Sequence, residues 1–405
     1  MHIAIFTDSF HPELGGIQDS VLLTSRALGE RGHQVVVYAP QASPQDYRIA
    51  GVPMAEVQVG PNVQVRRLFA VSAPGSTGQS RLVAPTGLRW RELRPFRPDI
   101  IHTHTFLAAG WEAVWAARRL RVPIVGTNHW AVREFSSYIP LPGAFFGRAS
   151  LKAVTWYYNR CSMVTGPSRS VIEEMRGFGL SRPHEVVSNP IDTQLFSPAT
   201  PERRRALKRQ LGFSDATVLY AGRLATEKRV DVLVLAFAQV LQDVPSAMLA
   251  LAGHGSDQRR LAALANRIGV GDRVKFLGTL PQPALADAFR AADVFAIAST
   301  SETQSMVLLQ AMSSGLPGVA ARWRALPECI DAGSGLLAEP GDHDQFAAQL
   351  TTLLLDPALR ARMAMRAAQR ARSVAVAAVV ATWEDLYARM TSAETRPSLN
   401  DGGSP

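Results

Sequence analysis

Two cations five residues apart, Arg223 and Lys228, lie in AGRLATEKRVD, directly after the apolar start of TVLYAGR. Arginine offers a planar fork of donors and lysine a mobile point charge, so the two converging from one loop suit a diphosphate. A second polar set frames SETQSMVLLQAMSS: Glu302 stands before a helix that starts near Ser305, and Gln310 lies inside it. First-turn helix amides attract phosphate oxygens, and a carboxylate beside them accepts hydrogen bonds from sugar hydroxyls. His129 closes the strand-like GTNHW, and His102 and His104, two apart in IIHTHT, face the same way on a strand. Two histidines with no further cysteine, histidine or acid at ligand spacing do not make a metal site, so no metal is expected. In DSFHPELGGIQ, Gly15 and Gly16 precede a helix, where backbone can approach a phosphate or sugar closely. The loop is not GxGxxG, and the strand QVVVYAP ends without the acid that holds a ribose, which argues against dinucleotide binding.

These groups need elements to carry them. Short apolar runs alternate with helical patterns in both halves, the signature of parallel α/β sheets. HIAIFTD, QVVVYAP, DIIHTHT, PIVGTNH and SMVTGPS read as strands of the first half. TVLYAGR, AMLALAGHG, RVKFLGTL, DVFAIAS and LPGVAA read as strands of the second. SNPIDTQLFSPATPE, with three prolines, marks the linker. The expected fold class is α/β, two doubly wound Rossmann-like domains facing across a cleft. Residues 1–190 form the first domain, 191–372 the second, 373–392 a last helix, and 393–405 a disordered tail. Ligands in such sheets sit beyond the carboxyl ends of the strands, where the polar residues above are found.

Composition narrows the class. The chain has 405 residues, 47% of them hydrophobic and 19% charged, which describes a globular protein. There is no apolar run long enough to span a membrane. MHIAIFTDSF reads as a strand and not a secretory leader, and Cys161 and Cys329 imply no disulfide framework, so a cytoplasmic location is expected. The net charge of +9 is concentrated in the first half, where 20 Lys+Arg in residues 1–190 oppose 13 Asp+Glu. A basic front half suits an anionic surface, but no recognition motif for nucleic acid accompanies it.

Taken in series, TDSFHPELGGIQ, GTNH, GPSRSVIEEM, VSNPIDTQLFSP, YAGRLATEKRVD, LAGHG, VKFLGTL, ADVFAIAST, SETQSMVLLQAMSSGLP and ALPECIDAGSGLLAEPGD resemble the retaining glycosyltransferases of the GT-B fold, family 4. The resemblance covers nearly the whole chain. It implies that the first domain receives an acceptor, the second binds a nucleotide-sugar, and the last helix crosses back to the first. By matching position, Arg223 and Lys228 neutralise the departing diphosphate, and Gly16 admits it. Glu302 and Thr303 hold the sugar, amides near Met306 and Val307 meet phosphate, Leu280 lies beside the base, and His129 contacts the donor sugar near its reacting carbon. Neither metal nor organic cofactor is implied. The family pattern has a second Glu where this chain has Gln310. A carboxylate accepts from both ribose hydroxyls and a carboxamide from one, which weakens donor binding by about 1 kcal/mol.

The form SETQS and the segment RALPE, Arg324 to Glu328, resemble the diacylglycerol glucosyltransferases within that family. Between the matched pieces, Tyr138, Phe145 and Phe146 interleave with Arg133, Arg148 and Lys152, a mixture suited to a lipid headgroup layer. The expectation is an enzyme peripheral on the inner face of the plasma membrane, moving glucose from UDP-glucose to a lipid such as diacylglycerol. The alternatives are a soluble acceptor, GDP-mannose-dependent transfer to phosphatidylinositol, and a non-catalytic nucleotide-sugar binder.

Overall fold

In a computed structural model, residues 1–73, 79–130 and 143–392 are described, with side chains omitted for 143–146. The expected tail 393–405 therefore lies outside the described residues. Seven parallel strands form the first sheet: β1 (His2–Phe6), β2 (Gln34–Pro40), β3 (Val63–Leu68), β6 (Ile100–Thr103), β7 (Ile124–Thr127), β8 (Met163–Gly166) and β9 (His184–Val186). A short antiparallel pair, β4 (Ala70–Ser72) and β5 (Arg81–Val83), sits apart from it. Six parallel strands form the second sheet: β10 (Thr217–Ala221), β11 (Met248–Ala252), β12 (Val274–Gly278), β13 (Val294–Ile297), β14 (Gly318–Ala321) and β15 (Gly335–Ala338).

The orders, β3-β2-β1-β6-β7-β8-β9 and β12-β11-β10-β13-β14-β15, reverse direction beside β1 and β10. Each reversal opens a crevice at the carboxyl ends of β1 and β6, and of β10 and β13. TVLYA and VFAI are buried along their whole length because helices cover both faces of the sheet. The strands read from sequence are present. The edge strands β3, β9 and β15 and the β4–β5 pair are additions, each short or studded with polar residues.

The last helix, Val376–Thr391, packs onto the first sheet. Val379, Val380, Trp383, Leu386 and Tyr387 are buried there among Ile3, Ile5, Val37, Ile100 and Val125. Ile191 and Ala375 form a parallel bridge, so the two crossings between the halves lie side by side.

Candidate active site

The loop after β10 supplies Arg223 and Lys228, and the loop after β13 supplies Glu302 and Thr303, so the second switch point gathers all four. Lys228 Nζ lies 2.7 Å from Glu302 Oε1, with 15% and 12% of the two side chains exposed. Arg223 faces Glu227 at 3.1 Å and is more open, with 39% of its side chain exposed. The backbone N–H of Thr300 donates to Glu227 O (3.1 Å), which ties the two loops together. Ser305 caps the helix Met306–Ser313, its Oγ accepting from Leu308 N at 3.4 Å. The site thus offers two cations, a carboxylate and a helix N-terminus, a set able to hold a sugar diphosphate.

Residues from the two halves meet here. Thr303 Oγ1 donates to the backbone O of His129 at 3.0 Å. A Cβ placed on Gly16, the first residue of the helix Gly16–Glu30, would stand 3.1 Å from Met306 Sδ, so this glycine lets the helices approach. Met306 is buried, and Leu280 and Val307 pack against the second core from its margin. Gln310, at the position of the family's second Glu, is buried, with 5% exposure. Every residue of that helix except Val307 is buried, so a polar side chain there is enclosed with its neighbours.

His129 is buried, with 8% exposure, at the end of β7. Its Nε2 lies 2.9 Å from Nδ1 of His104, which follows β6. Burial pushes the His129 imidazole down to about 4, so it is neutral at physiological pH. His102 is likewise pushed down to about 3 by burial, with the charge of His129 adding to the effect. Among the described residues no group of three or more His, Cys, Asp or Glu could hold a metal ion.

Sequence reasoning passed over the buried carboxylates of the first switch point. Asp8 Oδ2 accepts from Thr105 Oγ1 (2.7 Å) and Oδ1 from Ala109 N (3.3 Å). Burial nonetheless raises its pKa to about 6. Asp19, also raised to about 6 by burial, accepts from Gln282 Nε2 of the second half at 2.7 Å. Glu328 reaches across to cap the helix Arg169–Gly177, accepting from Arg169 N (2.7 Å) and Ser170 N (2.9 Å). Beside it Arg324 pairs with Glu174 at 2.6 Å. The sequence signal for Asp8 is an acid at the end of an apolar run, and RALPE enters only as part of the resemblance; neither reveals a partner far along the chain.

Of the proposed acceptor and membrane residues, Arg133 and Tyr138 lie outside the described residues, as do the side chains of Phe145 and Phe146. Arg148 stacks its guanidinium 5.6 Å from the Phe178 ring centre, and Lys152 is exposed.

Both halves match known families. Residues 14–195 match "Glycosyltransferase Family 4", and residues 203–370 match "Glycosyl transferases group 1". The chain is 31% identical over 406 residues to D-inositol 3-phosphate glycosyltransferase of Xylanimonas cellulosilytica, covering 94% of this chain and 93% of that protein. It is 27% identical over 369 residues to α-monoglucosyldiacylglycerol synthase of Streptococcus pneumoniae, covering 88% and 79%. The fold is shared with the Anabaena protein HepE, solved in complex with UDP, at a TM-score of 0.76 and 22% identity over 96% of this chain and 100% of that one. Facing GT-B domains, both of them family-matched, together with these relatives establish that the chain belongs to the family 4, group 1 glycosyltransferases and is a hexosyltransferase.

Proposed function

We propose that this enzyme transfers glucose from UDP-glucose, with retention of anomeric configuration, to a hydroxyl of a lipid such as diacylglycerol at an anionic membrane surface. In this reading Arg223, Lys228 and the amides at Met306 and Val307 take up charge on the leaving diphosphate, the main electrostatic task of the reaction. Glu302 and Thr303 orient the sugar, Gly16 and Leu280 shape the donor pocket, and His129 contacts the sugar from the acceptor side. Two cations and helix amides suffice for that charge, so the reading calls for no metal or organic cofactor.

The observation that carries the lipid assignment is a surface on the first domain. Trp156 is 55% exposed and Trp115 36% exposed, with Trp111 between them at centroid distances of 5.6 Å and 6.1 Å. The Arg160 guanidinium lies 3.2 Å from the Trp156 ring centre and 5.6 Å from that of Trp111. Leu88 and Leu107 are exposed as well, and the Trp115 ring lies over Gly87. Residues 81–121 and 143–160 together hold eleven Lys+Arg and three acids, a net +8 out of +9 for the chain. Amphipathic tryptophans among arginines fit the interface of an anionic bilayer, at about 1 kcal/mol per basic residue near the surface. No described helix is long and apolar enough to cross a membrane, so such attachment would be peripheral.

The test is donor consumption across UDP- and GDP-sugars, with and without anionic vesicles containing diacylglycerol. Turnover of UDP-glucose only with vesicles supports the reading. The inositol phosphate relatives favour a second reading, a soluble acceptor, and turnover indifferent to vesicles would select it. Consumption of GDP-mannose alone would replace the donor.

A further inference from the structure

The histidines of the first sheet form a connected stack. Tyr387 OH, on the last helix, lies 2.6 Å from His102 Nδ1, and Thr127 Oγ1 lies 2.7 Å from His102 Nε2. Trp383 of the same helix packs against the His102 ring at 4.6 Å between centroids. The His102 and His104 ring centres lie 4.0 Å apart, and the His104 and His129 rings, 14° from parallel, have centres 5.2 Å apart. The last helix therefore braces His102, which fixes the plane of His104, which meets His129.

That final contact has a polarity. Both rings are neutral, because burial opposes a charge on either. A neutral imidazole has one N–H and one lone pair, so a single proton occupies the 2.9 Å bond between His104 Nδ1 and His129 Nε2. The remaining nitrogen of His104, Nε2, is buried with no hydrogen-bond partner among the described residues. If the shared proton belonged to His129, the proton of His104 would sit on that Nε2 as an orphaned buried N–H, the rarer and costlier arrangement. If it belongs to His104, only a lone pair is left unmatched. The second state leaves the proton of His129 on Nδ1, which has no hydrogen-bond partner among the described residues.

We propose that His104 is the positioning residue that makes His129 a hydrogen-bond donor: His104 Nδ1–H donates to His129 Nε2, and His129 presents Nδ1–H to an oxygen of the bound donor sugar. The proposal rests on the reading of His129 as a donor-sugar contact. It extends the site to a residue that never touches substrate, and to the helix Val376–Thr391 that supports it.

The direct test is nitrogen NMR on the wild-type enzyme labelled with ¹⁵N-histidine, at neutral pH. The resonances of residues 104 and 129 would be assigned by single substitution. A protonated Nδ1 with a bare Nε2 on His129 is expected; a protonated Nε2 overturns the proposal. This readout needs no turnover, so it separates failure of the proposal from failure of the donor assignment. Kinetically, His104→Ala should lower kcat at least tenfold with the donor Kd within twofold, as for other supports one shell removed from the reaction. His104→Asn, whose amide N–H can occupy the place of Nδ1–H, should recover most of that loss. Equal activity of wild type and His104→Ala, or equal loss in both variants when each retains the wild-type melting temperature, would overturn it.

Discussion

Removal of the Lys228 ammonium is the perturbation whose size follows most directly from the geometry. Its Nζ is 2.7 Å from Glu302 Oε1 and both side chains are largely shielded. Breaking a partly buried pair of this kind costs about 1–2 kcal/mol of stability, below the range for fully buried pairs. Loss of one preorganised donor aimed at developing negative charge costs about 2.7–4 kcal/mol, or roughly 10²–10³ in kcat. Lys228→Ala should thus lower kcat about a hundredfold or more, and Lys228→Arg, which keeps the charge, by about tenfold or less. The assay is steady-state release of nucleoside diphosphate from the donor, repeated in a Glu302→Gln background. If Lys228 acts on the diphosphate, most of the loss persists in that background, because removal of the carboxylate leaves the phosphate contact intact. If it serves only to position Glu302, the double variant is no slower than Glu302→Gln alone. That second result would refute the assignment of Lys228 to the leaving group.

Two further perturbations test the pocket and the buried acids. Gln310→Glu should tighten binding of UDP-glucose about fivefold in a calorimetric titration, since charge-assisted hydrogen bonds exceed neutral ones by about 1 kcal/mol. Weaker or lost binding would place position 310 away from the ribose, and because Gln310 is buried, the variant without donor should also melt lower. At Asp8, burial outweighs the hydrogen bonds from Thr105 and Ala109 and raises the pKa from 3.8 to about 6. The folded state binds that proton more tightly than the unfolded, so the stabilisation is complete below pH 3.8 and is lost as pH rises through about 6. Asp8→Asn keeps an acceptor for Ala109 N and escapes that loss. It should be more stable than wild type at pH 8 by about 2–3 kcal/mol, at 1.36 kcal/mol per pH unit, with the advantage gone near pH 4. Denaturant titrations at both pH values check this, and a pH-independent difference would refute it.

What could be read from the sequence depended on how far apart the interacting residues lie. Central strands such as TVLYA and VFAI announce themselves because both faces are buried and the apolar run is unbroken. β3 does not, because VQVRRL lies at the sheet edge with exposed arginine in it. Arg223, Lys228 and Glu302 were legible as strand-end polar groups, but the ion pair between Lys228 and Glu302 spans 74 residues and depends on β10 lying beside β13. The same holds for His104. Spacing along IIHTHT puts His102 and His104 on one face, which invites a metal reading; only the adjacency of β6 and β7 brings His129 to the second of them. Asp8, His104 and Gln310 share a further property: each is a buried polar group. Local rules of burial and propensity would place an apolar residue at each, at lower cost to the fold. Their placement beside the two switch points, where the sheets turn their carboxyl ends to the cleft, is therefore an argument about the ligand. The raised carboxyl at Asp8 costs the fold stability as pH rises through about 6. A sugar bound between the sheets gains oriented acceptors and donors that bulk water does not screen.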